Sequence, residues 1–524
     1  MADTDAPGTA PFRLVLALAL LVLFAAGALA RAHLRPLWHD EIFTWHVARQ
    51  ADLPGIWSAL RAGTDLNPPL YHVLVHVTSQ FITSDRLAVR LPALLGFTVM
   101  LGAIALFVRH RCGSAPGATA AVAIALSGAS PYAYEGRPYG LVLGAGALAL
   151  LAWQRAARDG ASRVWAPLLA FALTVALASH YYAILLLAPI ALGELVRVMQ
   201  SRRHSVAILC ALVLPPLTLL AWVPLMTAAR DWSDGFWSKP SLDSALSWYT
   251  DVLSPLGGPV MGALALIGVV AALVRSNWLP PARTPRGRTG MPGHELVALA
   301  VLAALPLIAL VVAWSVTGAW HARYAMPAIL GVAGLTAAGV YASGTLATRT
   351  LASVLIVCFT VQAFGRLSEW RFSPRRPVAL TLIDADADSH VPILASDGRT
   401  YLEMVHYAPP DLRQRLIYIR KPPSVIVRTG SDTQDRSLAQ LARLTPLRLE
   451  RLDPFLEGHA RFEVIGRETW VIDELLSRDI PLRLVDRRED LQRFVVAPAP
   501  LPVSPSTAAA RTPPVTRPAA ASIR

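Results

Sequence analysis

The distribution of hydrophobic positions divides the chain into two parts. Between residues 12 and 365 long apolar runs alternate with short polar connectors, whereas beyond about residue 366 the apolar runs are short. A helix of about 20 apolar residues crosses the ~30 Å hydrocarbon layer of a bilayer. The first part therefore predicts eleven spans, at 12–30, 91–108, 116–132, 139–154, 164–180, 182–196, 205–226, 257–274, 295–316, 324–342 and 350–365. Because the first run is longer than the apolar part of a signal peptide, we interpret it as a retained span.

One further apolar stretch, 69–83, is short, and its polar residues His72, His76 and Gln80 share one helical face. Whether it crosses the membrane decides the orientation of everything that follows. If it does not cross, the arginine-rich connectors face the cytoplasm, as the positive-inside rule requires; if it does, the bias is reversed. We therefore predict an amphipathic helix at the outer surface. The arginines then placed in the cytoplasm are Arg109, Arg111, Arg155, Arg158, Arg163, Arg197, Arg202, Arg203, Arg275, Arg283, Arg286, Arg288 and Arg349.

Beyond residue 366 the pattern predicts a small α/β domain that ends near residue 496. Short apolar runs at 391–395, 416–419, 462–465 and 482–485 indicate strands, and 401–407 indicates a helix. Residues 497–524 are rich in Pro, Ala, Ser and Thr, which predicts a disordered tail. The predicted fold class is an α-helical polytopic membrane protein, with a membrane domain at 1–365, a first outer loop at 31–90 and an extracytoplasmic α/β domain at 366–496.

Composition supports this assignment. With 54% hydrophobic and 16% charged residues over 524 positions, the chain is not typical of a soluble globular protein. The net charge is +13, and the arginines lie mainly in the short connectors between spans rather than along one helix or one stripe. We therefore predict no binding of nucleic acid. The three cysteines, Cys112, Cys210 and Cys358, lack the spacing of a disulfide framework or of a zinc module.

An acidic pair, Asp40 and Glu41, follows the first predicted span by about ten residues. In one interpretation Asp40 caps a helix through Trp45 and Ala48, and Glu41 offsets the dipole of its first turn. In the other, the two carboxylates act on chemistry at the membrane surface, because a cap needs neither two acids nor a position at the edge of the bilayer. The residues alone do not decide between the two.

Three other outer stretches carry polar residues with both structural and functional interpretations. The stretch 65–72 is most simply a turn that starts the helix at 69–83. His72 and His76 have the spacing of a metal-binding pair, but no nearby acid completes a HExxH-type motif, so interfacial histidines are the simpler interpretation. The turns 134–139 and 321–324 place ionisable groups at span ends, where they are solvated, line a polar cavity or, for Arg323, bind a phosphate.

Taken in order, these motifs resemble the polytopic glycosyltransferases of the C superfamily. The likeness is greatest to bacterial family-39 relatives of the dolichyl-phosphate-mannose protein mannosyltransferases and of the aminoarabinose transferase that acts on lipid A. The order of the motifs carries the resemblance, since none is specific alone. The matching stretches are Trp38–Glu41, Asn67–Tyr71, Arg90–Leu94, Glu135–Tyr139, His180–Tyr182 and Arg323–Pro327.

The resemblance implies an active site between the first outer loop and the helical bundle, at the outer face of a bacterial cytoplasmic membrane. It implies an inverting transfer of a sugar from a polyprenyl-phosphate donor, with Asp40 as catalytic base and Glu41 as its neighbour. An activated lipid phosphate needs no general acid, whereas an acceptor hydroxyl must lose a proton. For the departing phosphate we expect Arg323 first and Arg137 second. Residues expected to bind substrate are Asn67, His72, Glu135, Tyr139, His180, Tyr181 and Tyr324.

Two points stay open at this stage. No motif in the α/β domain identifies the acceptor, which could be a protein, a glycan, a glycolipid or a lipid phosphate; with no DxD motif in the first loop, we predict no metal or other cofactor. A transporter or flippase of lipid-linked sugars is the alternative function, although transporters more often carry inverted repeats and charges near the midplane. A mere membrane anchor would leave eleven spans unexplained.

Overall fold

The computed structural model of the chain describes residues 9–158, 162–232, 238–254, 290–342, 344–372, 375–383, 391–468 and 470–496. The predicted span at 257–274 and the predicted tail at 497–524 lie outside these residues. The membrane part is helical, and its α-helices are α1 (Thr9–Leu34), α2 (His39–Ala48), α3 (Leu53–Arg61), α4 (Leu70–Phe81), α5 (Asp85–Cys112), α6 (Ser114–Leu126), α7 (Tyr139–Ala156), α8 (Ser162–Ser179), α9 (Leu187–Ser201), α10 (Val206–Leu217), α11 (Leu219–Arg230), α12 (Leu242–Leu253), α13 (Gly293–Ala303), α14 (Leu305–Val312), α15 (Ala328–Ala342) and α16 (Thr345–Ser368).

Several of these helices are long and apolar enough to cross a membrane. Among the described residues, five helical segments meet this condition alone, at Val15–Leu34, Asp85–Cys112, Tyr181–Ser201, Val206–Arg230 and Thr348–Arg371. A sixth is a pair, Gly293–Ala303 and Leu305–Thr317, bent by 55°. Other apolar helices occupy predicted spans but are shorter, so the predicted fold class is confirmed while the count of eleven crossings stays a prediction.

The close packing of α5 against α7 depends on glycine. A Cβ atom added to Gly96 would lie 2.5 Å from Leu141 Cα, and one added to Gly144 would lie 2.2 Å from Gly96 O. Small residues let two helices in a membrane approach until their backbones touch. This contact fixes the start of α7 beside the first half of α5, which brings the turn at 134–138 next to Arg90.

The stretch 69–83 forms α4, which is 12 residues and so only about 18 Å long. That is too short to cross a ~30 Å hydrocarbon layer. The helix buries Tyr71, His72 and Val75, and the Tyr71 hydroxyl donates a hydrogen bond to Val89 O at 2.8 Å. It packs against α2 and α5, as expected for a helix that lies on the bundle rather than in it.

The C-terminal part forms one six-stranded sheet with helices around it. Its strands are β1 (Ile393–Ala395), β2 (Leu416–Ile419), β3 (Leu449–Glu450), β4 (Phe462–Gly466), β5 (Leu482–Arg488) and β6 (Leu491–Val496), in the spatial order β3-β2-β1-β4-β6-β5. β1 pairs in parallel with β2 and β4, whereas β6 is antiparallel to both β4 and β5. Its helices are α17 (Val378–Thr381), α18 (Gly398–Tyr407), α19 (Pro410–Arg415), α20 (Pro423–Thr429), α21 (Thr433–Leu441), α22 (Leu452–Gly458) and α23 (Trp470–Ser477).

The four predicted strands are present, and β3 and β6 are additional. The predicted domain boundary at 365 falls inside α16, which continues to Ser368. The sheet domain contacts the segment that follows α1 and the start of α5: Leu37 N donates to the Tyr407 hydroxyl at 2.7 Å, and His406 Nε2 lies 2.8 Å from Asp85 Oδ2. On its other side, the Arg436 guanidinium lies 4.3 Å from the centre of the Trp232 ring.

Candidate active site

A cavity of about 1350 Å³ lies where the segment after α1, the helix ends at one side of the bundle, and the sheet domain meet. This volume exceeds the ~300–1,000 Å³ of an ordinary small-molecule site, so two substrates can be accommodated together. The predicted site residues that line it are Asp40, Asn67, Arg137, Tyr139, His180, Tyr181, Arg323 and Tyr324. Glu41, His72 and Glu135 do not line it; Glu41 and His72 are buried, and Glu135 is half-buried.

Asp40 lies in the first turn of α2, after Trp38, whose extended backbone starts the helix. One carboxylate oxygen accepts a hydrogen bond from Arg323 Nη1 at 2.8 Å, and the other lies 3.2 Å from His39 Nδ1. Burial alone would raise the pKa of Asp40, but the charge of Arg323 and the hydrogen bond to His39 outweigh it and hold the pKa well below its ordinary value. The carboxylate is therefore ionised, and its side chain is still 20% exposed to the cavity.

Arg323 lies in a short 3₁₀ helix, Ala322–Ala325, whose preceding residue, His321, accepts a hydrogen bond from Arg323 N through Nδ1 at 3.3 Å. Its guanidinium lies 5.6 Å from the centre of the Tyr139 ring, a cation–π distance. Within the described part of the chain its Nε is buried and has no hydrogen-bond acceptor. The Arg323 side chain as a whole is 13% exposed and lines the cavity, so an anionic ligand there can reach the guanidinium.

A second cluster is built around Asp65. Its carboxylate accepts hydrogen bonds from Arg137 Nη1 at 2.5 Å and from Asn67 Nδ2 at 2.7 Å, and it lies 3.2 Å from His72 Nε2. Burial would raise the pKa of Asp65, yet Arg137 and His72 lower it well below the ordinary value. Arg137 also donates to the Thr44 hydroxyl at 2.9 Å, so the turn before α7 is tied to α2.

Glu41 lies beside Asp40 in sequence but points in another direction. Its carboxylate is fully buried and accepts hydrogen bonds from Arg90 Nε at 2.6 Å, Arg90 Nη2 at 2.5 Å and Gly136 N at 2.5 Å. A Cβ on Gly136 would lie 2.2 Å from Val89 Cγ1, so only glycine allows this approach. The arrangement favours a structural role for Glu41 over the predicted catalytic one, because a saturated buried carboxylate has no access to substrate.

The pKa of Glu135 is raised from an ordinary 4.5 to about 7. Burial is the main cause, and the negative charge of Glu41 adds to it. The folded protein therefore holds the Glu135 proton more tightly than the unfolded chain does. Between about pH 4.5 and pH 7 this difference lowers the free energy of unfolding as the pH rises.

The substitution Glu135→Gln is accordingly expected to raise the melting temperature of the purified protein at pH 8 and to have little effect near pH 4.5. At pH 8 the wild type must hold a buried carboxylate that Gln lacks, whereas at pH 4.5 the wild-type group is protonated in the folded state. The measurement is a thermal melt in detergent across this pH range, with the exposed Glu457→Gln as the matched control. A stabilisation of the same size at both pH values would contradict the assignment.

Aromatic side chains form one wall of the cavity near Arg323. The rings of Tyr182 and Tyr324 stack with centres 4.8 Å apart, and His180 lies 5.4 Å from Tyr139 and 5.2 Å from Tyr324. Burial, followed by the charge of Arg137, lowers the pKa of His180 to about 3, so this imidazole is neutral. The Tyr181 hydroxyl is buried and has no partner among the residues described. These groups offer stacking surfaces and one free hydroxyl to a sugar.

The two histidines with metal-pair spacing, His72 and His76, have different hydrogen-bond partners. His72 Nε2 lies beside Asp65, and His76 Nδ1 lies 2.8 Å from Ala48 O. Over the described ranges, no group of three or more His, Cys, Asp or Glu side chains has the geometry to hold a metal ion.

Sequence reasoning missed two sets of residues. Asp65 and Arg90 were inside recognised motifs, but nothing in their spacing identified them as the ion-pair partners of Arg137 and Glu41. The second set comes from the sheet domain, which supplies part of the cavity lining although no motif indicated this; its charged members are Arg399, Lys421, Arg428, Arg467, Glu468 and Asp473. The only sequence signal for this lining was that basic residues follow some of the strands, as Arg420 and Lys421 follow β2.

Comparisons with known proteins agree with this architecture. The family model for dolichyl-phosphate-mannose-protein mannosyltransferases matches residues 67–224, which include α4 to α10 and the turn at 134–138. No curated protein sequence matches the chain.

Two solved structures of ArnT from Cupriavidus metallidurans are similar to this chain over nearly its whole length. The one bound to undecaprenyl phosphate has a TM-score of 0.55 at 14% sequence identity and covers 93% of this chain and 98% of its own. The apo structure has the same TM-score and identity and covers 92% of this chain and 97% of its own. The resemblance predicted from the ordered motifs is thereby confirmed in the fold.

Proposed function

We propose that this chain, whose fold is that of the C-superfamily glycosyltransferases, moves a sugar from a polyprenyl-phosphate donor to an acceptor at the membrane surface. The observation that carries the proposal is the Asp40–Arg323 pair, a carboxylate and a guanidinium 2.8 Å apart on the wall of a cavity large enough for two substrates. The similarity to an ArnT structure that holds undecaprenyl phosphate supports the class of donor. The identity of the sugar is left open.

In the proposed reaction Asp40 is the general base. The acceptor oxygen attacks the anomeric carbon of the donor from the face opposite the phosphate, and its proton passes to the Asp40 carboxylate. A new carbon–oxygen bond forms as the bond to the phosphate oxygen breaks, and the electron pair leaves with the phosphate, so the anomeric centre is inverted. A placed base typically contributes about 10²–10⁴-fold to such a step.

Arg323 is proposed to bind the donor phosphate, with Arg137 behind it. Both side chains line the cavity, and Arg323 is 13% and Arg137 8% exposed. Donor binding also acts on the base: when a phosphate shares the charge of Arg323, the stabilisation of ionised Asp40 is reduced and its pKa rises. A carboxylate of higher pKa is the stronger base, so the site is activated only when the donor is present.

An apolar wall offers a path for the polyprenyl chain. Val223 and Met226 on α11 and Val316 after α14 line the cavity and are 46%, 39% and 72% exposed. Exposed apolar side chains on a cavity wall can contact a lipid tail while its head group enters polar surroundings. This supports a lipid-linked donor over a soluble one.

The remaining predicted residues take supporting roles in the proposal. Tyr139, His180, Tyr181 and Tyr324 contact the sugar, and Asn67 lies at the edge of the same surface. His72 acts through Asp65, which it helps to hold, and Glu135 belongs to the same turn as Arg137. The predicted orientation, with a cytoplasmic N-terminus and the sheet domain outside a bacterial inner membrane, places this site on the outer face.

A transporter of lipid-linked sugars is the competing function, and reconstitution separates the two. Proteoliposomes that contain the full chain are supplied with a polyprenyl-phosphate donor labelled in its sugar, together with an extract of cell-envelope glycans. The proposal expects free polyprenyl phosphate and label in a new covalent product. Intact donor moved to the other leaflet, with no bond broken, would overturn it in favour of transport.

The substitution Arg323→Gln is expected to weaken binding of undecaprenyl phosphate by about tenfold or more. A hydrogen bond to a charged group is worth about 1.5–3 kcal/mol, and 1.4 kcal/mol corresponds to a factor of ten. Binding is measured in detergent at pH 8, with Arg349→Gln as the control because Arg349 is an exposed arginine that does not line the cavity. Equal affinity of both variants would remove Arg323 from the phosphate site.

A further inference from the structure

The sheet domain has a topological switch point that opens into the cavity. β1 lies between β2 and β4, and all three are parallel, but the chain continues from β1 toward β2 on one side and from β4 toward β5 and β6 on the other. In open α/β sheets the loops after two such strands separate and leave a crevice at their carboxyl ends, where ligands bind. Here the segments that follow β1 and β4 are hydrogen-bonded to each other. The crevice is the part of the cavity lined by Arg399, Lys421 and Arg467, which follow β1, β2 and β4.

The polar groups at these strand ends are firmly positioned. After β1, the Asp397 carboxylate accepts hydrogen bonds from Thr400 N at 2.8 Å and from Arg467 N, after β4, at 2.9 Å. Arg467 Nη1 donates to the Thr400 hydroxyl at 2.7 Å. After β2, Lys421 Nζ lies 3.0 Å from a carboxylate oxygen of Glu468. These bonds link the ends of all three strands. The residues that form them, Asp397, Thr400, Lys421, Arg467 and Glu468, are called the rim.

The rim and the proposed catalytic pair belong to the same cavity. Arg399, Lys421, Arg428 and Arg467 line it from the sheet domain, while Asp40 and Arg323 line it from the membrane domain. The Arg399 guanidinium lies 5.8 Å from the centre of the Trp38 ring, two residues before Asp40. A molecule held at the strand ends can therefore extend to the proposed base without leaving the cavity.

Charge indicates what the crevice binds. Lys421 and Arg467 are paired with Glu468 and Asp490, at 3.0 and 2.7 Å. Arg428, in contrast, is exposed to the cavity and forms no ion pair with any residue that the structure describes. A cation that faces a cavity without an ion-pair partner favours an anionic ligand, and a guanidinium is shaped for the two oxygens of a phosphate or carboxylate.

We propose that the crevice at the carboxyl ends of β1, β2 and β4 is the acceptor site, and that it holds an acceptor sugar bearing a phosphate or carboxylate. Arg428 contacts that anionic group, and a hydroxyl of the same sugar reaches Asp40. This inference rests on the proposed glycosyltransferase function. It assigns to the sheet domain the choice of acceptor, and to the membrane domain the donor.

The test is direct binding of small probes to the full-length protein in detergent, by titration calorimetry. The probes are glucose 6-phosphate, glucuronate and neutral glucose. Binding of either charged probe, with glucose at least tenfold weaker, is expected, and the tighter one identifies whether the acceptor's anion is a phosphate or a carboxylate. Arg428→Gln is expected to weaken that probe about tenfold or more. Arg443→Gln, an exposed arginine of the same domain away from the cavity, should bind it as the wild type does.

The inference is overturned if neither charged probe binds, if glucose binds as tightly as they do, or if the two arginine variants are indistinguishable. A separate pair of measurements tests the proposed glycosyltransferase function itself. The same wild-type preparation is titrated with undecaprenyl phosphate and assayed for release of that lipid from a sugar-linked donor. Absence of both would refute the glycosyltransferase, whatever the anion titrations show.

Discussion

Replacement of Asp40 by Asn is expected to lower the rate of sugar transfer by about 10²–10⁴-fold, the usual contribution of a placed general base. Asn has nearly the same shape and can still contact Arg323 and His39, but its amide cannot accept the proton of the attacking hydroxyl. Binding of the donor lipid should persist, because Arg323 is released from an ion pair and is free for the phosphate. The measurement is single-turnover transfer in proteoliposomes at saturating donor.

The matched control is Asp52→Asn, on the same outer segment. Asp52 caps α3 through a hydrogen bond from Gly55 N at 2.8 Å, and Asn caps a helix about as well as Asp. That variant should keep full activity and the same melting temperature. Full activity of the Asp40 variant would remove this residue from the mechanism and leave the phosphate contacts as the only function of the pair.

Replacement of Glu41 by Gln is expected to destabilise the folded protein by about 3–5 kcal/mol, the cost of leaving one partner of a buried ion pair without its counter-charge. Glu41 is 0% and Arg90 2% exposed, and the Arg90 guanidinium would keep its charge after the substitution. Loss of activity in this variant should therefore follow loss of folded protein. The loss of folded protein is measured as a lower melting temperature and a lower yield of monodisperse protein in detergent.

A double substitution separates this structural role from catalysis. Glu41→Gln with Arg90→Met removes both charges, so it should recover much of the stability that either single change loses. If the single Glu41 variant instead melts like the wild type and yet transfers no sugar, Glu41 is a catalytic group and the structural assignment is wrong.

The sequence predicted the elements of this protein better than their contacts. Long apolar runs predicted the helices because a helix that crosses a membrane needs a continuous run of apolar residues, which is visible in the sequence. The ordered motifs at Asp40, Arg137 and Arg323 predicted residues that the structure places around one cavity. The ion pairs within the site could not be predicted in this way: Asp65 and Arg137 are 72 residues apart, and only the tertiary fold brings them together.

The role of the sheet domain was the least predictable feature. Its central strands are apolar runs and were found, whereas β3 has two residues and β6 contains Gln492 and Arg493, so neither shows a clear apolar pattern. Arg399 and Arg428 are ordinary surface arginines when viewed along the sequence. Their position beside a cavity follows from strand order and from docking onto the bundle, which are tertiary properties.

The docking bonds of the sheet domain also bear on the order in which the protein is made. Leu37, close before Asp40, is held by Tyr407, and Asp85, at the start of α5, is held by His406. Both partners are translated more than three hundred residues after the segments that they hold. A nascent chain whose helices are already inserted therefore still lacks the contacts that hold the segment before Asp40, and the proposed active site is completed only near the end of synthesis.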